Sequence, residues 1–479
     1  MPYEAVIGLE VHAELQTQSK MFCGCAVVDT TVAPPNISVC PICAGMPGTL
    51  PVVNHRAVEM GLQVALALDC HINCVSIFAR KNYFYPDLPK GYQISQYEQP
   101  LAERGKLVIH TSAGERTIRI RRIHLEEDTG KLTHIPNGSL VDLNRAGVPL
   151  LEIVSEPDMH SPEEAVAYGE TLRHILRYLG VNSGDMEKGV IRFEANVSVR
   201  PAGSHELGTR TEVKNLNSFR ALERAIAYEI ERQSRILASG GTVEQETLGW
   251  NEAGEYTYPQ RSKEDAPDYR YFPEPDLPPL KIDETWLERL RAELPELPNA
   301  KRQRFIAQYH LTPKDAARLI EERAIADYFE QTVTHLPPGI APKVAANWIL
   351  GDLFALMNAC NADIYQLNIR PQALAEVIAL VVQGEINQTT GREVLAEITK
   401  SGRLPAEIVE ARGLKQVSDA DFIAEIVRQT LIEFPNEVQS FRSGKEGVFN
   451  WLFGQVMKKA AGKANPHIVR QELIRQLGS

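Results

Sequence analysis

Four cysteines near the start of the chain read C-x-C, a fourteen-residue gap, then C-x-x-C: Cys23, Cys25, Cys40 and Cys43. Two close pairs that reach one ion tie down the whole loop between them, which leaves this stretch few arrangements to adopt. In a reducing compartment the set is expected to be a tetrahedral zinc clasp. Four thiolates leave no coordination position open, so that role is structural. The clasp follows a strand-like run, Ile7 to Leu15, whose alternation puts Glu10, His12 and Glu14 on one face. Carboxylates and an imidazole on one face suit a hard metal ion and a phosphate. The expectation is one ion for shape and one for chemistry.

A chain of 479 residues exceeds one hydrophobic core, so several domains are expected. Its net charge of -11 excludes a surface that is basic all over, but not a local basic patch. From Ser440 to Ser479, Arg442, Lys445, Lys458, Lys459, Lys463, Arg470 and Arg475 meet only Glu446 and Glu472, seven minus two, a local +5. That patch reads either as a phosphate-backbone contact or as a solvated helix face. No apolar run reaches the ~18 residues that a membrane span needs. Met1-Pro2-Tyr3-Glu4 opens without a basic-then-apolar leader, so a cytoplasmic location is expected and cysteines serve as ligands or core. Cys70, Cys74 and Cys360 are expected to be ordinary buried residues.

The first 280 or so residues are strand-rich and punctuated by Gly and Pro. In Ile191 to Arg200 the residues Arg192, Glu194, Asn196, Ser198 and Arg200 share one face. Ser161-Pro162-Glu163-Glu164 opens a helix running to Leu179, and Phe219 to Leu237 forms another, closed by Gly240-Gly241. Tyr271 to Pro279 reads as a rigid extended connector leaving the domain. Beyond about residue 285 helical periodicity dominates. Helices open at Pro313 and Pro371, a break falls at Gly402 to Pro405, and a small helical unit closes the chain.

A dispersed acidic constellation joins Glu10 and His12: His124-Leu125-Glu126-Glu127-Asp128, then Glu152 and Glu194. Neighbouring Glu126 and Glu127 point to opposite faces of a strand, so at most one of them ligates, and spacing does not choose between them. Singly, each is an ordinary surface charge on a half-exposed strand. Arg80 to Asp87 mixes cations with aromatics, a make-up suited to nucleotide or nucleic-acid contact. Arg210, Glu212 and Lys214 alternate along one strand, as a phosphate clamp or an ion-pair ladder. There is no G-x-x-x-x-G-K-[ST] loop, no G-x-S-x-G elbow and no G-x-G-x-x-G fingerprint, so ATP, if used, is not held by a P-loop.

These stretches resemble the GatB family, the B subunits of tRNA-dependent amidotransferases. The resemblance is carried by VIGLEVHAEL (Val6–Leu15), MPGTLPVVN (Met46–Asn54), RKNYFYPD (Arg80–Asp87), YQISQ (Tyr92–Gln96), HLEEDTGK (His124–Lys131) and VDLNR (Val141–Arg145). PLLEIVSEP (Pro149–Pro157), TRTEVKNLNS (Thr209–Ser218), DYRYFPEPD (Asp268–Asp276) and the closing Gly462-Lys463-Ala464-Asn465-Pro466 extend it nearly end to end.

The resemblance implies an enzyme that makes Asn-tRNA or Gln-tRNA from mischarged Asp-tRNA(Asn) or Glu-tRNA(Gln). The B subunit phosphorylates the side-chain carboxylate with ATP and Mg²⁺, and ammonia then displaces the phosphate. A glutaminase (amidase), the A subunit, supplies the ammonia. A small C subunit holds the two large ones together, and the cognate non-discriminating synthetase is a further partner. The alternative is a non-catalytic tRNA-binding scaffold in the same complex. The implied fold is α+β: a mixed or antiparallel-sheet catalytic cradle (1–290), an all-helical domain (291–405) and a tRNA-binding tail (406–479). Carried onto this sequence, His12, Glu127 and Glu152 are the Mg²⁺ ligands, with Glu10 close by. Glu194 stands where many members have Asp. Lys81, Arg210 or Lys214 assists the phosphates. The cysteine quartet occurs only in some members, so zinc rests on its spacing here.

Overall fold

The strand expected near the N-terminus runs Tyr3–Glu14 and lies in the middle of a nine-stranded sheet. The computed structural model describes residues 3–262, 268–415, 420–445, 447–460 and 464–478. Glu446, Gly462 and Lys463, named above for the tail, lie outside them. Tyr3–Glu14 pairs antiparallel with Pro149–Ser155 on one side and Ile191–Pro201 on the other. Outward from Pro149–Ser155 come Gly114–Glu127, Ala102–Thr111 and the short His71–Ile72. Outward from Ile191–Pro201 come Thr211–Leu216, Glu246–Asn251 and Tyr256–Ser262. Thr211–Leu216 and Glu246–Asn251 pair in parallel, which makes the sheet mixed, as the expected α+β fold allows.

Alternation sorts the two faces of this sheet. Val11, Ala13, Leu125, Leu151, Ile153, Phe193 and Ala195 are buried on one side, under helices His55–Ala67, Pro162–Tyr178 and Phe219–Ala238. Each helix starts on a side-chain cap: Asn54 accepts from the backbone N–H of Ala57, Ser161 from Glu164 and Ser218 from Ala221. The other side keeps the charged residues. A second sheet, of Phe78–Asn82, Tyr92–Gln96 and Phe272–Pro273, packs over it.

The segment after Tyr271 is therefore no exit from the domain. Phe272 and Pro273 pair with Arg80 and Ala79, and Glu274 is buried. The Arg80 guanidinium donates to both Glu274 oxygens, at 2.7 and 2.8 Å, while lying 4.3 Å from the Tyr92 ring centroid. A bidentate pair of this kind fixes the segment as a wall of the unit, a tertiary constraint that a Pro-rich string does not advertise.

The chain forms two compact units, Met1–Asn299 and Ala300–Ser479. The second is built from helices around two apolar cores, one including Phe305, Phe329, Ile378 and Val409, the other Ile423, Leu452 and Leu473. Among the described residues no helix is long and apolar enough to cross a membrane.

Candidate active site

Three strands bring the polar face together. His12 stands across from Glu152, and Glu152 across from His124. His12 Nε2 lies 3.3 Å from Glu152 Oε2 and 3.9 Å from Glu126 Oε1, and His124 Nε2 lies 3.3 Å from the same Glu152 oxygen. His12, Glu126 and Glu152 each offer a ligand atom, all within 4.8 Å of one another.

Glu127, expected in this set, is not in it. Its carboxylate points to the opposite face, where the Lys90 ammonium pairs with it and the Ile94 N–H donates to it at 2.9 Å. Glu126 shares its face with His124 by period two, and that parity is the signal which separates the two acids once Glu152 and His124 are known to pair. Strand Tyr92–Gln96 grips the whole Leu125-Glu126-Glu127 stretch. Gln93 Nε2 donates to the Glu127 carbonyl at 2.6 Å, Ser95 Oγ to Glu126 Oε2 at 3.1 Å, and Gln96 Oε1 accepts from the Leu125 N–H at 3.0 Å. Ser95 was not legible as a site residue in sequence, because its partner is a strand away.

Burial alone would discharge His12, but Glu152, then Glu194 and Glu126, outweigh it and push its pKa up to about 9. Burial likewise opposes the Glu152 charge, and the His124 and His12 imidazoles overcome it, holding Glu152 well below the usual carboxylate range. A hard divalent cation fits this set by its donor chemistry, two carboxylate oxygens and one imidazole nitrogen. The buried His124 Nδ1 has no hydrogen-bond partner among the described residues.

A second acidic group, Glu10, Glu194 and Glu212, converges on the same face. Lys214 occupies it as an internal counter-ion, 2.7 Å from Glu194 and 3.6 Å from Glu212. Burial opposes the Lys214 charge, and Glu194 and Glu212 hold it on. Asn196 Nδ2 donates to Glu10 Oε1 at 3.0 Å. Burial, then the charges of Glu152, Glu194 and Glu212, push the Glu10 carboxyl up. Glu14 stands apart, beside Asp128 and Arg192.

Lys81 reaches this face from the covering sheet. Burial opposes its charge, but Glu126 and Glu152 keep it protonated. Its ammonium lies 5.1 Å from the Tyr269 ring centroid, and Asn82 holds that segment in place, its N–H donating to the Tyr269 carbonyl at 2.9 Å. Lys81, Asn82, Tyr83, Thr129, Lys214 and Tyr269 help line a cleft of about 1120 Å³. Arg210 is not there. It precedes strand Thr211–Leu216, is exposed, and lines a separate pocket beside Glu10.

The cysteine quartet converges, with all four sulfurs within 4.8 Å of one another. Cys43 Sγ lies 4.0 Å from Cys25 Sγ and 3.8 Å from Cys40 Sγ, and accepts from the Cys40 N–H at 3.1 Å. Hydrogen bonding from the Cys23 thiol, helped against burial by the Cys40 N–H and Lys20, brings Cys43 down to about 4. Lys20 is fully buried, its ammonium 2.7 Å from the Ser38 carbonyl, 3.1 Å from that of Leu143 and 3.6 Å from Cys43 Sγ. A ready thiolate with three thiols around it could bind a metal ion. Cys74 and Cys360, expected inside, are exposed: Cys74 borders the short edge strand Val75–Ser76, and Cys360 ends a helix with no buried face.

In the tail, Lys458 and Lys459 end helix Gly447–Lys459, and Lys459 pairs with Glu433. Arg470 lies over the Phe449 and Phe453 rings, at 5.6 and 5.4 Å.

A mixed sheet thus carries a buried acid–imidazole cluster on its polar face, with Lys81 reaching it from a second, three-stranded sheet. Residues 5–288 match the GatB/GatE catalytic domain, and residues 327–477 match the GatB domain. Over 481 residues the chain is 52% identical to the aspartyl/glutamyl-tRNA(Asn/Gln) amidotransferase B subunit of Moorella thermoacetica, with 100% of both chains covered. It is 51% identical to the B subunit of the same name from Thermodesulfovibrio yellowstonii, again over 100% of both, and 50% identical to that of Myxococcus xanthus, over 99% of both. The chain belongs to the GatB family of amidotransferase B subunits.

Proposed function

We propose that the buried polar face activates the side-chain carboxylate of Asp-tRNA(Asn) or Glu-tRNA(Gln) with ATP, in a cytoplasmic complex. Its partners there are the glutaminase, or A subunit, which supplies ammonia, and a small C subunit. A non-discriminating synthetase is the source of the mischarged tRNA. The observation that carries this reading is the placing of Lys81 against the His12, Glu126 and Glu152 cluster, at a cleft large enough for a nucleotide.

A free carboxylate resists ammonia because oxide is a hopeless leaving group, so the reaction is split in two. The carboxylate oxygen attacks the γ-phosphorus of ATP and ADP leaves. Ammonia then attacks the acyl carbon, inorganic phosphate departs with the former carboxylate oxygen, and one proton is lost. The first step asks only for alignment and charge neutralisation. His12, Glu126 and Glu152 would hold Mg²⁺, which supplies positive charge for the transferring phosphoryl group. Lys81 adds a second positive charge and keeps it there, because the acids beside it prevent deprotonation. Lys214 orients Glu194, and with it Glu10, on the neighbouring strand. Zinc at Cys23, Cys25, Cys40 and Cys43 would brace the loop before helix His55–Ala67. By this reading residues 1–290 do the chemistry, 291–405 form a helical domain and 406–479 bind tRNA.

The test is phosphate release by the assembled complex given ATP, Mg²⁺ and Asp-tRNA(Asn) or Glu-tRNA(Gln), with no amide donor. Release is expected only with mischarged tRNA, and in Lys81→Met at a rate lower on the order of 100-fold. Release that ignores the tRNA, or survives Lys81→Met intact, makes this chain a scaffold instead. Truncation after residue 413 is expected to weaken tRNA binding about tenfold or more through lost phosphate contacts, and to flatten its salt dependence. Unchanged affinity in a filter-binding assay would remove the tail from the interface.

A further inference from the structure

Lys20 is fully buried, and nothing in the acid–imidazole cluster accounts for it. An ammonium has three protons to give and accepts nothing. Here they meet the Ser38 carbonyl at 2.7 Å, the Leu143 carbonyl at 3.1 Å and Cys43 Sγ at 3.6 Å. No carboxylate pairs with it among the described residues. Two carbonyls ask only for neutral donors, and burying a full charge for their sake is costly. The sulfur is the partner that can carry negative charge. A divalent ion held by four thiolates is left doubly negative, and a buried cation against one of the sulfurs offsets part of that.

The Leu143 carbonyl leads toward the cleft. Leu143 follows strand Gly138–Asp142, and the cysteine loop holds the residues there from several sides. Asn36 Oδ1 accepts from the Leu143 N–H at 2.8 Å. Buried Asn144 accepts from the Ser38 N–H at 2.9 Å and donates to the Pro34 carbonyl at 2.8 Å. Arg145, next along, donates to the Thr129 carbonyl at 2.9 Å and to the Gly130 carbonyl at 2.7 Å. The Gly130 N–H donates in turn to the Asp87 carbonyl at 2.9 Å. Thr129 and Asp87 line the large cleft. A line of contacts thus runs from a cysteine sulfur to the cleft wall, and Lys20 is its first link.

We propose that Lys20 is a positioning residue, which balances the charge of the metal-bound quartet and passes the rigidity of that site through Leu143 and Arg145 to Thr129 and Asp87. The clasp thereby sets the shape of a cleft that it does not itself line. The assignment rests on the amidotransferase reading only for what the cleft holds, which is ATP.

Lys20→Met keeps the length of the side chain and drops its charge, and Lys20→Gln keeps N–H donors as well. In the full chain loaded with cobalt(II) in place of zinc, both are expected to move the thiolate-to-metal charge-transfer band to lower energy. A sulfur relieved of a neighbouring cation gives up electron density more readily, whereas a lysine that merely props the loop leaves the band in place. Zinc loss to a chelator is expected to quicken about tenfold or more. Hydrogen exchange over residues 128–132, which include the Gly130 N–H, is expected to speed up about tenfold in either variant and in the wild-type chain stripped of zinc. Strand Pro149–Ser155 keeps its protection throughout. Stripping zinc from Lys20→Met adds little more, as two breaks in one line of contacts should. In phosphate release by the assembled complex the variants raise KM for ATP severalfold at a nearly unchanged kcat.

The proposal is overturned if the band stays put, if zinc removal leaves exchange over 128–132 unchanged, if Pro149–Ser155 loosens as much, or if KM for ATP is that of the wild type. Should Lys20→Met fail to fold, Lys20→Gln and the zinc-stripped wild type carry the test. A shifted band and faster exchange in a complex that never consumes ATP leave the role of Lys20 standing and remove the amidotransferase reading.

Discussion

Glu126→Gln is expected to abolish carboxylate activation without unfolding the protein, and Glu127→Gln to do the reverse. Glu126 offers its oxygens to the cluster with His12 and Glu152, so losing its charge removes a ligand and is expected to cut phosphate release on the order of 100-fold or more. Melting should fall less than in Glu127→Gln, since Glu152 remains as a counter-charge for Lys81 and His12 and the amide still accepts from Ser95 Oγ. Glu127 is different. Its partner Lys90 is nearly buried, with 11% of its side chain exposed, and Glu127→Gln strands that ammonium. Breaking a buried pair from one side costs about 3–5 kcal/mol. In a unit of this size that is a fall in Tm on the order of 10 °C. Melting curves and phosphate release on the two variants separate the roles. Loss of release at an unchanged Tm in Glu127→Gln, with Glu126→Gln fully active, would return Glu127 to the metal site.

Cys40→Ser is expected to strip a metal ion from the chain and loosen the loop it closes. Elemental analysis of the wild-type chain should find one zinc per chain, and of Cys40→Ser far less than one. Structural zinc in small fingers supplies about 10–16 kcal/mol of apparent binding energy. Even a fraction of that transmitted to the unit lowers Tm by roughly 5 °C or more. Proteolysis should then cut between Gln16 and Leu50, where the loop depends on the quartet, Lys20 and Asn54 to stay in place. Cys40→Ser that retains zinc and melts normally would show that the four sulfurs converge for packing alone.

Much of this was legible in the sequence because it is local. Alternation in Ile7–Leu15 and Ile191–Arg200 placed Glu10, His12 and Glu194 on a polar face, and the structure pairs those two runs directly. The cysteine spacings announced convergence in the same way. What failed depended on pairing between strands far apart in sequence. Choosing Glu126 over Glu127 requires knowing that Glu152 lies opposite His124. Reading Tyr271–Pro279 as a connector ignored Arg80, which claims Glu274 from almost two hundred positions away. Arg210, Glu212 and Lys214 read as one row, yet the strand begins at Thr211 and leaves Arg210 on the approach to it. Parity is written in a sequence, whereas registry between distant segments is settled only by packing.

The central place of strand Tyr3–Glu14 has a consequence for synthesis. It leaves the ribosome well before either of its neighbours, and one of them, Ile191–Pro201, is made well over a hundred residues later. At about 5–20 residues per second the nascent chain carries this apolar strand with an open hydrogen-bonding edge for roughly 10–40 seconds. An unpaired edge with a greasy face invites association with any other exposed strand. The segment that bears His12 is therefore also the one most in need of shelter at birth, and slow stretches of translation before residue 191 should lower the yield of intact protein.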